Sequence, residues 1–176
     1  MNILIVKLSS LGDVVHAMPA VQDLRAAHPR SRIDWVLETP FAPLVQRCDG
    51  VDMVIGCSLR RWRQSLLGAQ TGVEWRAFRD ALRQNCYDAV IDLQGLTKSA
   101  LVARMAWLTV AGKRYALANQ TEGSSYEAPT RWVADVAIRV EPRVHAVQRS
   151  RELCARALGY ELTVPARFGL RAIPLK

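Results

Sequence analysis

Short continuous aliphatic runs alternate along this chain with segments whose apolar positions recur every three or four residues. Residues 3–6 (ILIV), 33–37, 53–57 and 89–93 are runs of the first kind, the pattern of strands buried on both faces of a parallel sheet. The second kind begins with Val15, Met18, Val21 and Leu24, a helical stripe that ends near His28-Pro29. Pro19 is tolerated in a first helical turn, so the regular helix is expected from about Ala17. Helices are also expected over 41–47, 74–84, 99–108 and 144–158, the last stopped by Gly159, and a fifth strand over 113–117. Residues 119–130 are polar and read as a long loop, and residues 161–176 hold two prolines and no clear element. Strand and helix in strict alternation predict an α/β fold with a Rossmann-like, doubly wound parallel sheet.

Composition narrows this picture only a little. The 176 residues are 50% hydrophobic and 23% charged, enough for one domain with a core. Twenty-four Lys and Arg against 16 Asp and Glu give +8, which favours an acidic partner: nucleic acid, an anionic membrane, or a phosphorylated or carboxylated substrate. Cys48, Cys57, Cys86 and Cys154 form no C-x-x-C pair, and three of them lie beside apolar residues. That fits free thiols in a reducing cytoplasm rather than a disulfide framework or a zinc site. Met1 runs straight into a strand with no signal-peptide pattern, and the longest apolar stretch (residues 99–111) is interrupted by Arg104 and too short to span a bilayer.

Ligands of a doubly wound sheet bind at the carboxyl ends of its strands, which focuses attention on two turns. Lys7-Leu8-Ser9-Ser10-Leu11-Gly12-Asp13 follows the first strand, and Asp92-Leu93-Gln94-Gly95-Leu96-Thr97-Lys98-Ser99 follows the fourth. The first has one glycine, so the dinucleotide fingerprint fails; the second has Lys98-Ser99 without the glycines of a P-loop. NAD enzymes and P-loop ATPases are therefore disfavoured. Lys7, Ser9, Ser10, Gly12, Gln94 and Lys98 remain candidate cleft residues. Asp13 has two readings. It is an N-cap, the commoner role for such an aspartate, or a general base at the sheet edge. The helix dipole favours an anion there. A carboxylate is a poor base toward an alcohol until the alcohol begins to bond to an electrophilic carbon, which suits glycosyl transfer.

Arg60-Arg61-Trp62-Arg63 follows the third strand. It reads either as a solvated helix turn or as a cluster for bidentate recognition of carboxylate or phosphate. Trp62 stacks on a sugar or packs. Asp92 is a second carboxylate at a strand end, where bonding to its own turn is the usual role. His16, His28 and His145 are isolated in sequence, and no metal site is assigned.

Four segments taken together, KLSSLGDVVHAMPA, RRWR, YDAVIDLQGLTKSALVAR and HAVQRSRELCARALGY, resemble the lipopolysaccharide heptosyltransferases of glycosyltransferase family 9. The resemblance covers the whole chain but only the amino-terminal half of the family's proteins. It implies a GT-B fold, with an acceptor-binding Rossmann-like domain over residues 1–160 and the start of an interdomain linker over 161–176. By the same resemblance, the donor-binding carboxyl-terminal domain is expected to lie outside these 176 residues. It further implies inverting transfer of heptose from ADP-L-glycero-D-manno-heptose to the Kdo of Kdo-lipid A in the lipopolysaccharide inner core. Asp13 is the implied catalytic base, and Arg60, Arg61 and Arg63 are the implied acceptor-binding residues. No metal or cofactor is implied. The resemblance implies a monomer in the cytoplasm, peripheral to the inner membrane and binding no nucleic acid. Gln64 stands where relatives carry a further basic residue, and Tyr126-Glu127 where many carry Arg-Glu. Addition of the second heptose, and a non-enzymatic basic domain for nucleic acid, are the alternative readings. The chain alone is expected to fold without catalysing transfer.

Overall fold

The computed structural model of the chain describes residues 1–65 and 68–172. Six strands form one fully parallel sheet: β1 (Asn2–Val6), β2 (Arg32–Glu38), β3 (Met53–Cys57), β4 (Tyr87–Asp92), β5 (Leu108–Leu117) and β6 (Val136–Ile138). Their spatial order, β3-β2-β1-β4-β5-β6, is that of a doubly wound Rossmann sheet, with the chain reversing direction across the sheet between β1 and β4. The helices are α1 (Leu11–Ala27), α2 (Ala42–Val45), α3 (Leu59–Gln64), α4 (Ala69–Leu82), α5 (Thr97–Met105), α6 (Thr130–Val133) and α7 (Ala146–Leu158).

The aliphatic strands are buried on both faces, as their composition requires. Ile3 and Ile5 join Val14, Met18 and Val21 of α1 and Leu153 and Cys154 of α7 in one core. Leu4 and Val6 point the other way, into a core with Phe78 and Leu82 of α4 and Val102 of α5. Cys48, Cys57 and Cys154 are buried thiols and Cys86 is exposed.

Several boundaries differ from the sequence expectation. Helix α1 starts at Leu11, well before Ala17, and carries Pro19 in its interior. Proline removes one helical donor, but α1 packs against both the sheet and α7, and packing rather than propensity sustains it. Helix α4 begins at Ala69 instead of residue 74, and α5 ends at Met105 so that Leu108 opens β5. Gly112 is what lets β5 lie against β4 there: a Cβ at that position would sit 2.4 Å from the Tyr87 carbonyl oxygen. Helix α6 and strand β6 were not expected; each spans only three or four residues, too few to show a period.

Residues 161–172 hold no helix or strand, yet they are tied down. Leu170 bridges to Cys48, the Asp49 N–H donates to the Gly169 carbonyl at 2.7 Å, and the Arg171 N–H donates to Arg47 at 3.0 Å. The last four residues of the expected linker lie outside the described residues. Among the described residues no helix is long and apolar enough to cross a membrane.

Candidate functional site

The turns after β1 and β4 meet at the reversal point of the sheet, where α/β folds bind ligands. Gln94 joins them, its Oε1 accepting the backbone N–H of both Leu8 and Ser9 at 3.1 Å. Lys7 Nζ donates to the Leu93 carbonyl at 3.2 Å, and Lys98 Nζ donates to Ser9 Oγ at 3.3 Å. Lys7, Ser9, Gln94 and Lys98, far apart in sequence, are thus joined where the two turns meet, with Ser10 next to them in the chain. Gly12 lines the same region with open space where a Cβ would stand, so close approach does not explain its being glycine.

Asp13 is not the N-cap. Ser10 is, and Asp13 occupies the third helical position, accepting the Ser10 N–H at 3.1 Å through Oδ2. The turn winds into helix at Leu11, which moves the cap back by three residues. The other carboxylate oxygen, Oδ1, lies 3.6 Å from Lys7 Nζ. The two partners differ in access: the Asp13 side chain is 35% exposed and that of Lys7 only 3%. Burial pushes the Lys7 ammonium below the usual lysine range, with Asp13 pulling the other way. Asp13 also opens onto a cleft of about 600 Å³, walled by His16 from α1, Glu122 and Gly123 from the loop after β5, and Arg143 and His145 from the approach to α7.

Asp92 serves its own turn, accepting from Gln94 N at 2.8 Å, Gly95 N at 3.2 Å and Ser99 Oγ at 2.9 Å. Burial raises its carboxyl to about 6 in spite of these bonds. It organises the second loop.

The arginine cluster divides. Arg61 turns toward α4, paired with Glu74 and bonded to Ser58 Oγ at 3.4 Å. Trp62 is buried, donates its indole N–H to Glu74 at 2.8 Å and stacks edge-on against Trp75, so it packs. Arg60 and Arg63 face a separate groove of about 310 Å³ with Glu38, Trp75, Lys98 and Leu101. Glu38 closes β2 there; burial pushes its carboxyl up against the pull of Arg60 and Lys98. Lys98 connects the two halves of the site, lining this groove while bonding to Ser9 of the Asp13 loop.

Other assignments resolve by geometry. Glu127 accepts from Thr97 N at 2.8 Å and from the Thr97 hydroxyl, capping α5, while Tyr126 donates to the Ala118 carbonyl at 3.2 Å. His16 and His145, far apart in sequence, stack edge-on with ring centroids 5.2 Å apart. Among the described residues no group of three or more His, Cys, Asp or Glu side chains has the arrangement to hold a metal ion. Sequence reading missed Glu122 and Arg143 of the cleft wall and a buried arginine close to it. Arg149 of α7 is only 3% exposed and donates to Thr121 Oγ1 at 2.9 Å. The signal for it lay in the polar residues on the inner side of the 144–158 stripe, where an apolar side chain is the rule.

Residues 75–172 match glycosyltransferase family 9 (heptosyltransferase), more than half of the chain. Lipopolysaccharide heptosyltransferase 1 of Escherichia coli K12 is 42% identical over 161 residues, covering 91% of this chain and 48% of that protein. The protein of the same name from Pseudomonas aeruginosa is 40% identical over 168 residues, covering 92% of this chain and 44% of its own length. Among solved structures, E. coli heptosyltransferase WaaC with ADP superposes with a TM-score of 0.86 at 36% identity, over 96% of this chain and 51% of that one. E. coli ADP-heptose lps heptosyltransferase II shares the fold at TM-score 0.69 and 20% identity. The chain spans about half the length of the curated relatives it matches.

Proposed function

The chain belongs to glycosyltransferase family 9, the heptosyltransferases, and from that premise we propose that it is the acceptor-binding half of a GT-B lipopolysaccharide heptosyltransferase, with residues 161–176 leading into the linker. The reaction is transfer of heptose from ADP-L-glycero-D-manno-heptose to a hydroxyl of Kdo in Kdo-lipid A. Asp13 takes the hydroxyl proton as the oxygen bonds to the anomeric carbon. The bond from that carbon to the diphosphate breaks on the opposite face, ADP leaves with the electron pair, and the anomeric centre inverts. The reading includes no metal and no resident cofactor. It describes a monomer in the cytoplasm that touches the inner-membrane surface through its acceptor.

The observation that carries this reading is the exposure of Asp13 beside a sealed lysine. One carboxylate oxygen is committed to the helix start and the other lies 3.6 Å from Lys7 Nζ, while the side chain as a whole, 35% exposed, lines the cleft. A carboxylate that only capped its helix would need neither the cleft nor Lys7. Arg60, Arg63 and Lys98 supply a cationic groove for the phosphates or carboxylates of the acceptor, within reach of the same loop. Arg61 is spent on Glu74 and contributes less.

Binding of Kdo-lipid A, measured against salt, tests the reading. Replacing Arg60 and Arg63 together with alanine should weaken binding by roughly tenfold or more, since hydrogen bonds to charged groups are each worth about 1.5–3 kcal/mol. The wild-type affinity should fall as ionic strength rises. Tight binding to single-stranded or duplex oligonucleotides with none to Kdo-lipid A would replace the transferase by a nucleic-acid-binding domain.

A further inference from the structure

Two arginines two residues apart on α7 face inward, and they are treated very differently. Arg151, 6% exposed, grips Asp23 with its Nε and Nη2 at 2.6 and 3.2 Å, and its Nη2 also reaches the Val164 carbonyl at 2.6 Å. This is the usual condition of a buried guanidinium: a carboxylate on the fork, with the rest satisfied. Arg149, still less exposed, has a single neutral partner, Thr121 Oγ1 on its Nη1. No carboxylate oxygen of the described residues lies within ion-pairing distance of it. Its Nε and Nη2, the same edge with which Arg151 holds Asp23, donate to nothing, and neither is among the atoms sealed from solvent without a partner.

The surroundings say which side of the site this edge serves. Thr121 adjoins Glu122 of the cleft wall, and Ala146, one helical turn before Arg149, belongs to the same wall. Burial drives the guanidinium below its usual range, and the one charge pulling it back is that of Asp13. Lys7, also buried, feels the Arg149 charge as a repulsion. Lys7 Nζ is held 3.6 Å from Asp13 Oδ1, and Asp92, the other acid nearby, is fully engaged by its own turn. The Nε/Nη2 edge of Arg149 is thus the buried cationic donor left without an anion of its own.

We propose that Arg149 is a substrate-binding residue of the acceptor site, whose free Nε/Nη2 edge holds the carboxylate of an acidic sugar while Asp13 faces that sugar's hydroxyl. The inference rests on the transferase reading for the identity of the sugar. The anion belongs to the acceptor rather than to the departing diphosphate, because the leaving group exits on the face opposite the nucleophile and Asp13 must stand with the nucleophile. A planar carboxylate also matches a side-on guanidinium edge in two parallel hydrogen bonds, which a lysine cannot offer.

The test follows the Arg149 Nε–Hε resonance of this chain by NMR while free Kdo, acetate or inorganic pyrophosphate is added. Arg149→Lys assigns the signal, and Arg149→Gln measures the loss of affinity. A saturable shift with Kdo, at least tenfold weaker Kdo binding in Arg149→Gln, and partial retention in Arg149→Lys are expected. A silent resonance in the wild type overturns the proposal and needs no variant to fold. A stronger response to pyrophosphate than to Kdo overturns the carboxylate assignment in favour of the leaving group. If the resonance answers acetate while the chain fails to bind Kdo-lipid A, the anion site stands and the transferase reading falls. Binding of Kdo-lipid A with a silent Arg149 sinks this inference alone.

Discussion

The two ends of the parallel sheet handle buried charge in opposite ways. At the amino end, Asp34 is fully buried and fully occupied, accepting from Arg32 Nε at 2.9 Å, Asn85 Nδ2 at 3.0 Å and Tyr87 Oη at 3.0 Å. Asp52 takes the Ile33 N–H at 2.7 Å and Arg25 at 2.6 Å, and Asp88 takes Asn2 N at 2.7 Å and Thr109 at 3.0 Å. At the carboxyl end, Arg149 leaves donors unused, Glu38 keeps one buried oxygen without a partner, and Lys7 is held below its usual ionisation range. Buried polar groups that only stabilise are satisfied within the fold. Sealed atoms without a partner also occur at His28, Glu152 and Tyr160, so the contrast is one of charged groups at the strand ends: Asp34, Asp52 and Asp88 are satisfied within the fold at the amino end, whereas Glu38 and Arg149 keep unused bonding capacity at the carboxyl end.

Breaking the amino end should cost the most. Asp34→Ala would strand the Tyr87 hydroxyl in the interior and leave half-buried Asn85 and Arg32 unpaired, a loss of about 3 kcal/mol, the upper end of the cost of an unsatisfied buried donor. Urea unfolding reads this directly, and a loss under 1 kcal/mol would erase the contrast between the two ends.

Asp92 sharpens the comparison through pH. Its folded value of about 6 lies above that of an unfolded aspartate, near 3.9. The native state then holds the proton more tightly, so this group's stabilisation is complete below about pH 4 and is lost as pH rises through about 6. The swing amounts to as much as about 3 kcal/mol at 1.36 kcal/mol per unit. Asp92→Asn should flatten that part of the stability profile, and an identical profile in both proteins would show that burial does not govern Asp92.

Gln94 is the exception that joins stability to function at the carboxyl end. Gln94→Ala removes the acceptor of two loop N–H groups and should cost about 1–3 kcal/mol, while Gln94→Glu, which still accepts both, should cost less. If alanine and glutamate behave alike, the loops are held by something other than that oxygen. The smallest effect belongs to Arg61→Ala. With Arg61 already paired to Glu74, acceptor affinity should change far less than in the Arg60 and Arg63 variants.

The pattern of aliphatic runs was enough to read β1 to β4 and the doubly wound class, because strands buried on both faces leave an unbroken apolar signature. The start of α1 was not legible. Pro19 argues locally for a late start, and only the packing of α1 against α7 and the sheet overrides it. Strand β6, three residues long, carries no period to read. In the site, the two loops could be singled out from their places after strands, but their joining through Gln94 is a contact across 86 residues that no local pattern encodes. The division of the arginine cluster depends in the same way on Glu74, thirteen residues from Arg61. Arg149 sits on the buried side of α7 with Arg151, Leu153 and Cys154. The lesson is chemical: an arginine on an inward helical face has to find an anion, and the sequence alone does not say whether the fold or a ligand provides it.

The central claim is that Asp13 does more than start its helix. Asp13→Asn keeps an oxygen to accept the Ser10 N–H and removes the base, whereas Asp13→Ala removes both. Losing the bond to the helix start should cost about 0.5–2 kcal/mol, seen in the alanine variant and largely absent in the asparagine one. In a full-length version of the protein, turnover with ADP-heptose and Kdo-lipid A should fall by roughly 10²–10⁴-fold in Asp13→Asn while its melting temperature stays close to wild type. Near-normal turnover in that variant would contradict the account and leave Asp13 as a helix-start residue alone.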